Sequence, residues 1–80
     1  MSNDNQQVVT IEPLLVRAEQ AAKLLGISRS KFYSMHSAGL VPMPIRLIDA
    51  PRWDVNELKN WIQNRCPSRE VWERTMKGRR

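Results

Sequence analysis

Between residues 17 and 39 the chain reads as two short helices broken by a single glycine, and this spacing constrains the fold more than any other feature. Ala18, Ala21, Ala22 and Leu25 recur at i, i+3, i+4 and i+7, with Leu24 beside them, which is a helical period. Gly26 stops that helix, because glycine takes the left-handed C′ conformation without a Cβ penalty. Ile27 follows as a buried plug. Ser28 can cap the next helix by accepting from an orphan backbone N–H. The second helix is predicted over Arg29–Ser37, with Phe32 and Met35 three apart on one face and Gly39 at its end.

Two helices joined through a tight turn containing glycine are the sequence form of a helix-turn-helix. The small side chains of Ala21 and Ala22 let the pair approach closely. After Gly39 the period changes. Pro42 and Pro44 forbid a helix and favour extended backbone. Ile45-Arg46-Leu47 reads as a strand, Asp49-Ala50-Pro51 as a turn, and Arg52-Trp53 as the start of a return strand. The loop lacks the Asn-Gly signal of a tight turn. Asp54-Val55-Asn56-Glu57 reads as a capping box, with Asp54 as cap and Glu57 reaching back. Val55, Leu58, Trp61 and Ile62 then form one apolar stripe on a third helix that ends near Cys66 and Pro67. Ser68 can cap a last short helix, Arg69–Met76, carrying Val71 and Trp72. Leu14-Leu15-Val16 is a short apolar run that can pack as a strand or as a staple.

The expected architecture is therefore mostly α with a small β-hairpin. It is a winged helix-turn-helix of three short helices, a two-stranded wing and a short C-terminal helix. Residues 1–13 read as a disordered polar lead, 14–66 as the folded domain, and 67–80 as a short helix and basic tail. The expected core is Ala21, Leu24, Leu25, Ile27, Phe32, Met35, Leu40, Ile45, Trp53, Leu58, Trp61 and Ile62.

Composition narrows the function classes. With 80 residues the chain has room for one small domain and no deep interdomain cleft. An apolar share of 41% suits a compact core. No run of about 18 apolar residues is present to span a membrane. The polar start, Met1 to Gln7, lacks the pattern of a signal peptide. The single cysteine, Cys66, has no internal disulfide partner and suits a reducing cytoplasm. One histidine and one cysteine leave no usual metal-ligand set and no Cys–His catalytic pair. The carboxylates are explained by capping or by a mixed-charge tail, and the three glycines are scattered. No catalytic residue, metal or cofactor is expected. The net charge of +5 is uneven: residues 1–28 carry −1, residues 29–52 carry +3 and residues 53–80 carry +3. A basic surplus of this kind favours a polyanion partner, the plain alternative being solubility.

The stretch Ala21-Ala22-Lys23-Leu24-Leu25-Gly26-Ile27-Ser28-Arg29-Ser30-Lys31-Phe32-Tyr33 resembles the helix-turn-helix of the AlpA and phage-excisionase families, within the MerR-like winged-helix superfamily. Pro42-Met43-Pro44-Ile45-Arg46-Leu47, Arg52-Trp53, Glu57 and Trp61-Ile62 resemble the AlpA wing and closing helix. Arg17 stands where the family often has a Ser or Thr cap, and Ser34 where many relatives carry Arg. The resemblance implies a double-stranded DNA partner, in transcriptional control or as an excisionase that steers a site-specific recombinase (integrase) of a phage or mobile element.

On that reading the second helix is the recognition helix, whose N-terminal residues reach base edges in the major groove. Arg29 can pair bidentately with guanine. Ser30 and Ser34 can bond bases or phosphates, and Lys31 and Tyr33 suit phosphate. Arg46 and Arg52 flank the wing and suit the backbone or a narrow minor groove. The bland alternatives are a solvated helix face, and cross-strand pairing of the arginines with Asp49. Trp53, Trp61 and Phe32 are expected in the core rather than stacked on bases, with Trp53 pinning the wing to the third helix. His36 reads as a solvated helix residue. The second functional reading is an adaptor contacting a recombinase or polymerase through Trp72 and the tail. The segment after Pro67 is too short for a coiled-coil dimer, so a free monomer that assembles cooperatively on DNA is expected.

Overall fold

The computed structural model describes residues 12–77. Most of the polar lead and the basic end Gly78-Arg79-Arg80 lie outside the described residues. The elements in order are β1 (Leu15–Val16), α1 (Ala18–Leu25), α2 (Arg29–Ser37), β2 (Ile45–Leu47), β3 (Ala50–Asp54), α3 (Val55–Gln63) and α4 (Arg69–Lys77). The fold is a winged helix-turn-helix, mostly α, with a small antiparallel sheet ordered β1-β3-β2. Among the described residues the sheet has three strands rather than two. Leu15 and Val16 pair with Asp54 and Trp53, so the apolar run ahead of α1 covers one edge of the wing root.

Three helices end in the same way. Ile27 N–H donates to Ala22 O and Gly26 N–H to Lys23 O, closing α1 in a Schellman motif with Gly26 at φ 72°. Leu40 N–H donates to Met35 O and Gly39 N–H to His36 O, closing α2 with Gly39 at φ 73°. Cys66 N–H donates to Trp61 O and Arg65 N–H to Ile62 O, closing α3, here with Arg65 at φ 69° and Cys66 at φ 54° in place of glycine. A Cβ at position 26 meets nothing within 4 Å, and one at position 39 meets only Arg69 Nη1 at 4.0 Å. Gly26→Ala and Gly39→Ala should therefore each cost about 1–2 kcal/mol, from the backbone conformation and not from a clash. Urea midpoints at unchanged m-value measure this.

At the other helix ends, Ser28 Oγ accepts from Lys31 N–H at 3.1 Å, as expected of an N-cap. Arg17 offers no acceptor to α1; its own N–H donates to Gln20 Oε1 at 3.2 Å. Asp54 Oδ1 accepts from Asn56 and Glu57 N–H groups at the start of α3. The Glu57 carboxylate does not reach back to complete a capping box. It accepts instead from the Trp72 indole N–H at 2.9 Å.

The core gathers Val16, Ala18, Ala21, Ala22, Phe32, Val41, Trp53, Leu58, Trp61 and Trp72, with Leu25, Ile27 and Met35 packed against it. Four expected core residues lie at the surface: Leu24, Leu40, Ile45 and Ile62. Leu24 and Ile62 each follow or precede a true inward residue by one position, a rotation of about 100° on a helix. Leu24 faces a shallow apolar cleft shared with Pro13, Val16 and Val55. Ile45 lies on the outer side of the hairpin, and Leu40 on the surface just beyond the α2 Schellman turn.

Candidate nucleic-acid interface

Helix α2 has two unlike sides. Phe32 is buried, and Met35 and His36 are half-buried against the domain. Arg29, Ser30, Lys31, Tyr33 and Ser34 are all exposed. One helical segment thus brings together five of the seven site residues read from the sequence. The first turn holds Arg29 and Lys31 and no acidic residue. Cations at the positive end of a helix dipole are unfavourable for the isolated helix and favourable for an incoming anion. Arg29 Nη1 meets Glu19 Oε2 at 3.4 Å, with both side chains more than half exposed. A solvated pair at that distance is weak and screened, so it does not commit the guanidinium.

The hairpin register sorts the other two arginines. Ile45 pairs with Arg52, Arg46 with Pro51, and Leu47 with Ala50. Directly paired residues share a face, and neighbours along a strand alternate. Arg46 therefore shares the inner face with Pro51 and Trp53, whereas Arg52 shares the outer face with Ile45 and Leu47. The two arginines are on opposite sides of the wing. Arg52 is half-buried and donates from Nη1 to Pro51 O at 2.8 Å. Arg46 is exposed. Among the described residues Asp49 forms an ion pair with neither of them. The turn itself is tighter than the sequence suggested. With Leu47 opposite Ala50, it consists of Ile48 and Asp49 alone, and β3 already begins at Ala50.

Trp53 ties the wing to α2, within the core cluster that also holds Leu58 and Trp61 of the third helix. Its ring meets Phe32 edge-on at 4.9 Å and His36 edge-on at 5.3 Å, and its indole N–H donates to Pro42 O at 3.0 Å. Both polar and apolar parts of Trp53 are thus used inside the fold, as are those of Trp61, whose indole donates to Pro67 O at 2.8 Å.

His36 is not a solvated helix residue. Its Nδ1 lies 3.0 Å from Arg69 Nη2. A guanidinium can only donate, so Nδ1 accepts and the neutral ring carries its proton on Nε2. Burial lowers the His36 pKa from its ordinary 6.5, and the Arg69 and Arg46 charges lower it further. Arg69 itself was missed by sequence reading. It donates from Nε to Val41 O at 2.9 Å and from Nη2 to His36 O at 3.1 Å, while its N–H donates to Gly39 O. One side chain of α4 thus ties the end of α2 to the start of the wing. The signal was present: a cation at the first position of a helix opposes the dipole, which implies a partner elsewhere.

Trp72, left open by the sequence as a core or partner residue, is 1% exposed and cannot serve as a docking anchor in this fold. Among the described residues no group of three His, Cys, Asp or Glu side chains is placed to hold a metal ion, and no helix is long and apolar enough to cross a membrane.

The family model of the prophage CP4-57 regulatory protein AlpA matches residues 14–66. No curated protein and no solved structure matches the chain. The matched span runs from the residue before β1 to the turn after α3, and so takes in the helix pair, the wing and the closing helix. It covers well over half of the sequence, and the chain belongs to the AlpA family of phage regulatory proteins.

Proposed function

We propose that this protein is a sequence-specific duplex-DNA-binding regulator of a phage or mobile element, acting in transcriptional control or as an excision accessory to a site-specific recombinase. The observation that carries the reading is the outward side of α2. It presents Arg29, Ser30, Lys31, Tyr33 and Ser34 to solvent around a helix start free of acidic residues. In this reading α2 enters the major groove, where Arg29 pairs with a guanine edge and Lys31 and Tyr33 hold phosphates. Ser30 and Ser34 bond bases or backbone. Arg46 and Arg52 meet the backbone on either side of the wing. Residues 14–66 make up the DNA-reading unit, with α4 as its buttress. A single module of this size covers about 600–1,000 Å² of protein surface, so several copies assemble side by side on a tight site.

The adaptor reading loses its anchor with the burial of Trp72. What remains of it is a contact through the basic end, which suits a recombinase partner bound alongside the DNA.

The test is fluorescence anisotropy of a labelled duplex from the region upstream of the protein's own gene, against a scrambled duplex, across a salt series. Specific binding with a log–log salt slope of several units is expected, at about 0.9 per neutralised phosphate. Arg29→Ala should cost about 1–3 kcal/mol and relax base preference at one position, whereas Lys31→Ala should weaken binding to all sequences and reduce the slope by about 1. Equal, weak binding to both duplexes would overturn the reading.

A further inference from the structure

Among the described residues one ion pair is present, and it stands at the start of α2. Arg29 Nη1 donates to Glu19 Oε2 at 3.4 Å, from one helix to the other. Glu19 is the sole carboxylate between Ala18 and Ser37, a stretch that also holds Lys23, Arg29 and Lys31. Its place in the first turn of α1 suits the helix dipole, which explains a carboxylate there but not its choice of partner. The local partner would be Lys23, at i+4 and in the favourable order. Lys23 and Arg17 line a shallow cleft together with Glu19, yet the carboxylate pairs with neither and turns to Arg29. The guanidinium makes no other hydrogen bond among the described residues, so Nε and Nη2 stay open.

We propose that Glu19 is a specificity-determining residue: set against Arg29, it aims the guanidinium at a guanine edge and bars it from phosphate. This rests on the DNA reading given above and deepens it from binding to discrimination. An arginine finds two kinds of acceptor on DNA, the phosphate oxygens and the O6/N7 edge of guanine, and only the second carries sequence information. A phosphate that reaches Arg29 brings a full negative charge up to the carboxylate. A guanine edge is neutral and meets no such repulsion. In the free protein the pair is solvated and weak. A duplex laid over the start of α2 displaces water, and as the local dielectric falls both the hold on Arg29 and the repulsion of phosphate grow. With Nη1 turned to Glu19, Nε and Nη2 present side by side the two donors that guanine accepts. Lys31, exposed and without an ion-pair partner among the described residues, remains the phosphate ligand of the same turn. The two cations that open α2 are thereby given different tasks. The cost falls on affinity: Glu19 weakens binding to every sequence and widens the gap between right and wrong ones.

The test uses the full chain, the duplex that it recovers from a random-sequence library, single-base-pair variants of that duplex, and a scrambled one, across a salt series. Glu19→Gln should tighten binding to the scrambled duplex roughly fivefold at about 0.1 M salt and steepen its log–log salt slope by about 1, as Arg29 gains a phosphate. Affinity for the recovered duplex should hardly change, so discrimination at the base pair read by Arg29 should fall by a similar factor. Glu19→Asp keeps the charge and should restore most of the rejection. In an Arg29→Ala background, Glu19→Gln should no longer alter discrimination at that base pair. Glu70→Gln removes an exposed carboxylate of α4, changes the net charge equally, and should leave discrimination as it is. A residue that only supports the first turn of α1 would act with the opposite sign, since its loss lowers the melting temperature and weakens binding to both duplexes. A Glu19→Gln protein that binds both duplexes more weakly, or that tightens on both by the same factor, would overturn the proposal and leave the DNA reading intact. Failure to recover any duplex would overturn both.

Discussion

Replacing Trp72 with alanine is expected to cost about 3–5 kcal/mol, the range for deleting a large aromatic side chain from a core. A domain of this size has only about 5–15 kcal/mol in total, and a small one lies near the lower end, so much of the population should unfold. The cost has two parts. The indole is 1% exposed, so its removal leaves a cavity that α4 must close by shifting along the domain. The indole N–H also donates to Glu57 Oε2 at 2.9 Å, and its loss leaves that carboxylate without the bond. Trp72→Phe separates the parts, because it keeps most of the volume and loses the bond; it should cost about 1–3 kcal/mol. Urea unfolding followed by circular dichroism measures both. A Trp72→Ala protein with an unshifted midpoint would mean that α4 does not dock, and would return Trp72 to the surface as an adaptor residue.

Arg69→Met should cost about 2–3 kcal/mol, since hydrogen bonds from a charged donor are the strong ones and the acceptors are then left bare. Methionine retains much of the stem's packing, so the loss reads mainly the bonds to Val41 O, His36 O and His36 Nδ1. The substitution also bears on pH. Burial, Arg69 and Arg46 all lower the His36 pKa below 6.5, so the unfolded chain takes up a proton at a pH where the folded domain does not. The stability this gives is fully present above the unfolded value and falls as the solution is acidified through 6.5 toward the lower folded value. Melting temperatures should accordingly drop between about pH 7.5 and pH 5.5 in the wild type. The drop should shrink in Arg69→Met, which removes one cause and leaves the larger one, burial. It should disappear in His36→Gln, whose amide oxygen still accepts from Arg69. A pH dependence undiminished in His36→Gln would place its origin elsewhere.

The turn chemistry is legible in the sequence, because Gly26, Ser28 and Gly39 perform local tasks that few residue types can perform. The α1 stripe was legible for the same reason, as its period of small residues can only face a close neighbour. Contacts between distant segments were not legible. The capping-box spacing of Asp54 and Glu57 suggested a local bond, and a tryptophan fifteen positions away took the carboxylate instead. His36 read as solvated because Arg69, which covers it, lies thirty-three residues further on. The wing turn was misplaced because Pro51 suggested a corner. Proline instead occupies the second position of β3, where it packs opposite Arg46. The outward residues of α2 were readable as a group, since the burial of Phe32 fixes the rotation of the whole helix.

The docking of α4 separates two lengths that are easily taken for one. The stretch shared with the family ends at residue 66, whereas the stretch that closes on itself runs to Lys77. A fragment cut at residue 66 would keep every side chain proposed to touch DNA. It would also strip the Trp61 indole of its acceptor on Pro67, and the carbonyls of His36 and Val41 of their donor. Anyone transplanting this reader onto another protein should therefore join the new partner beyond Lys77. The span matched to the family is shorter than what must be carried to keep that span folded.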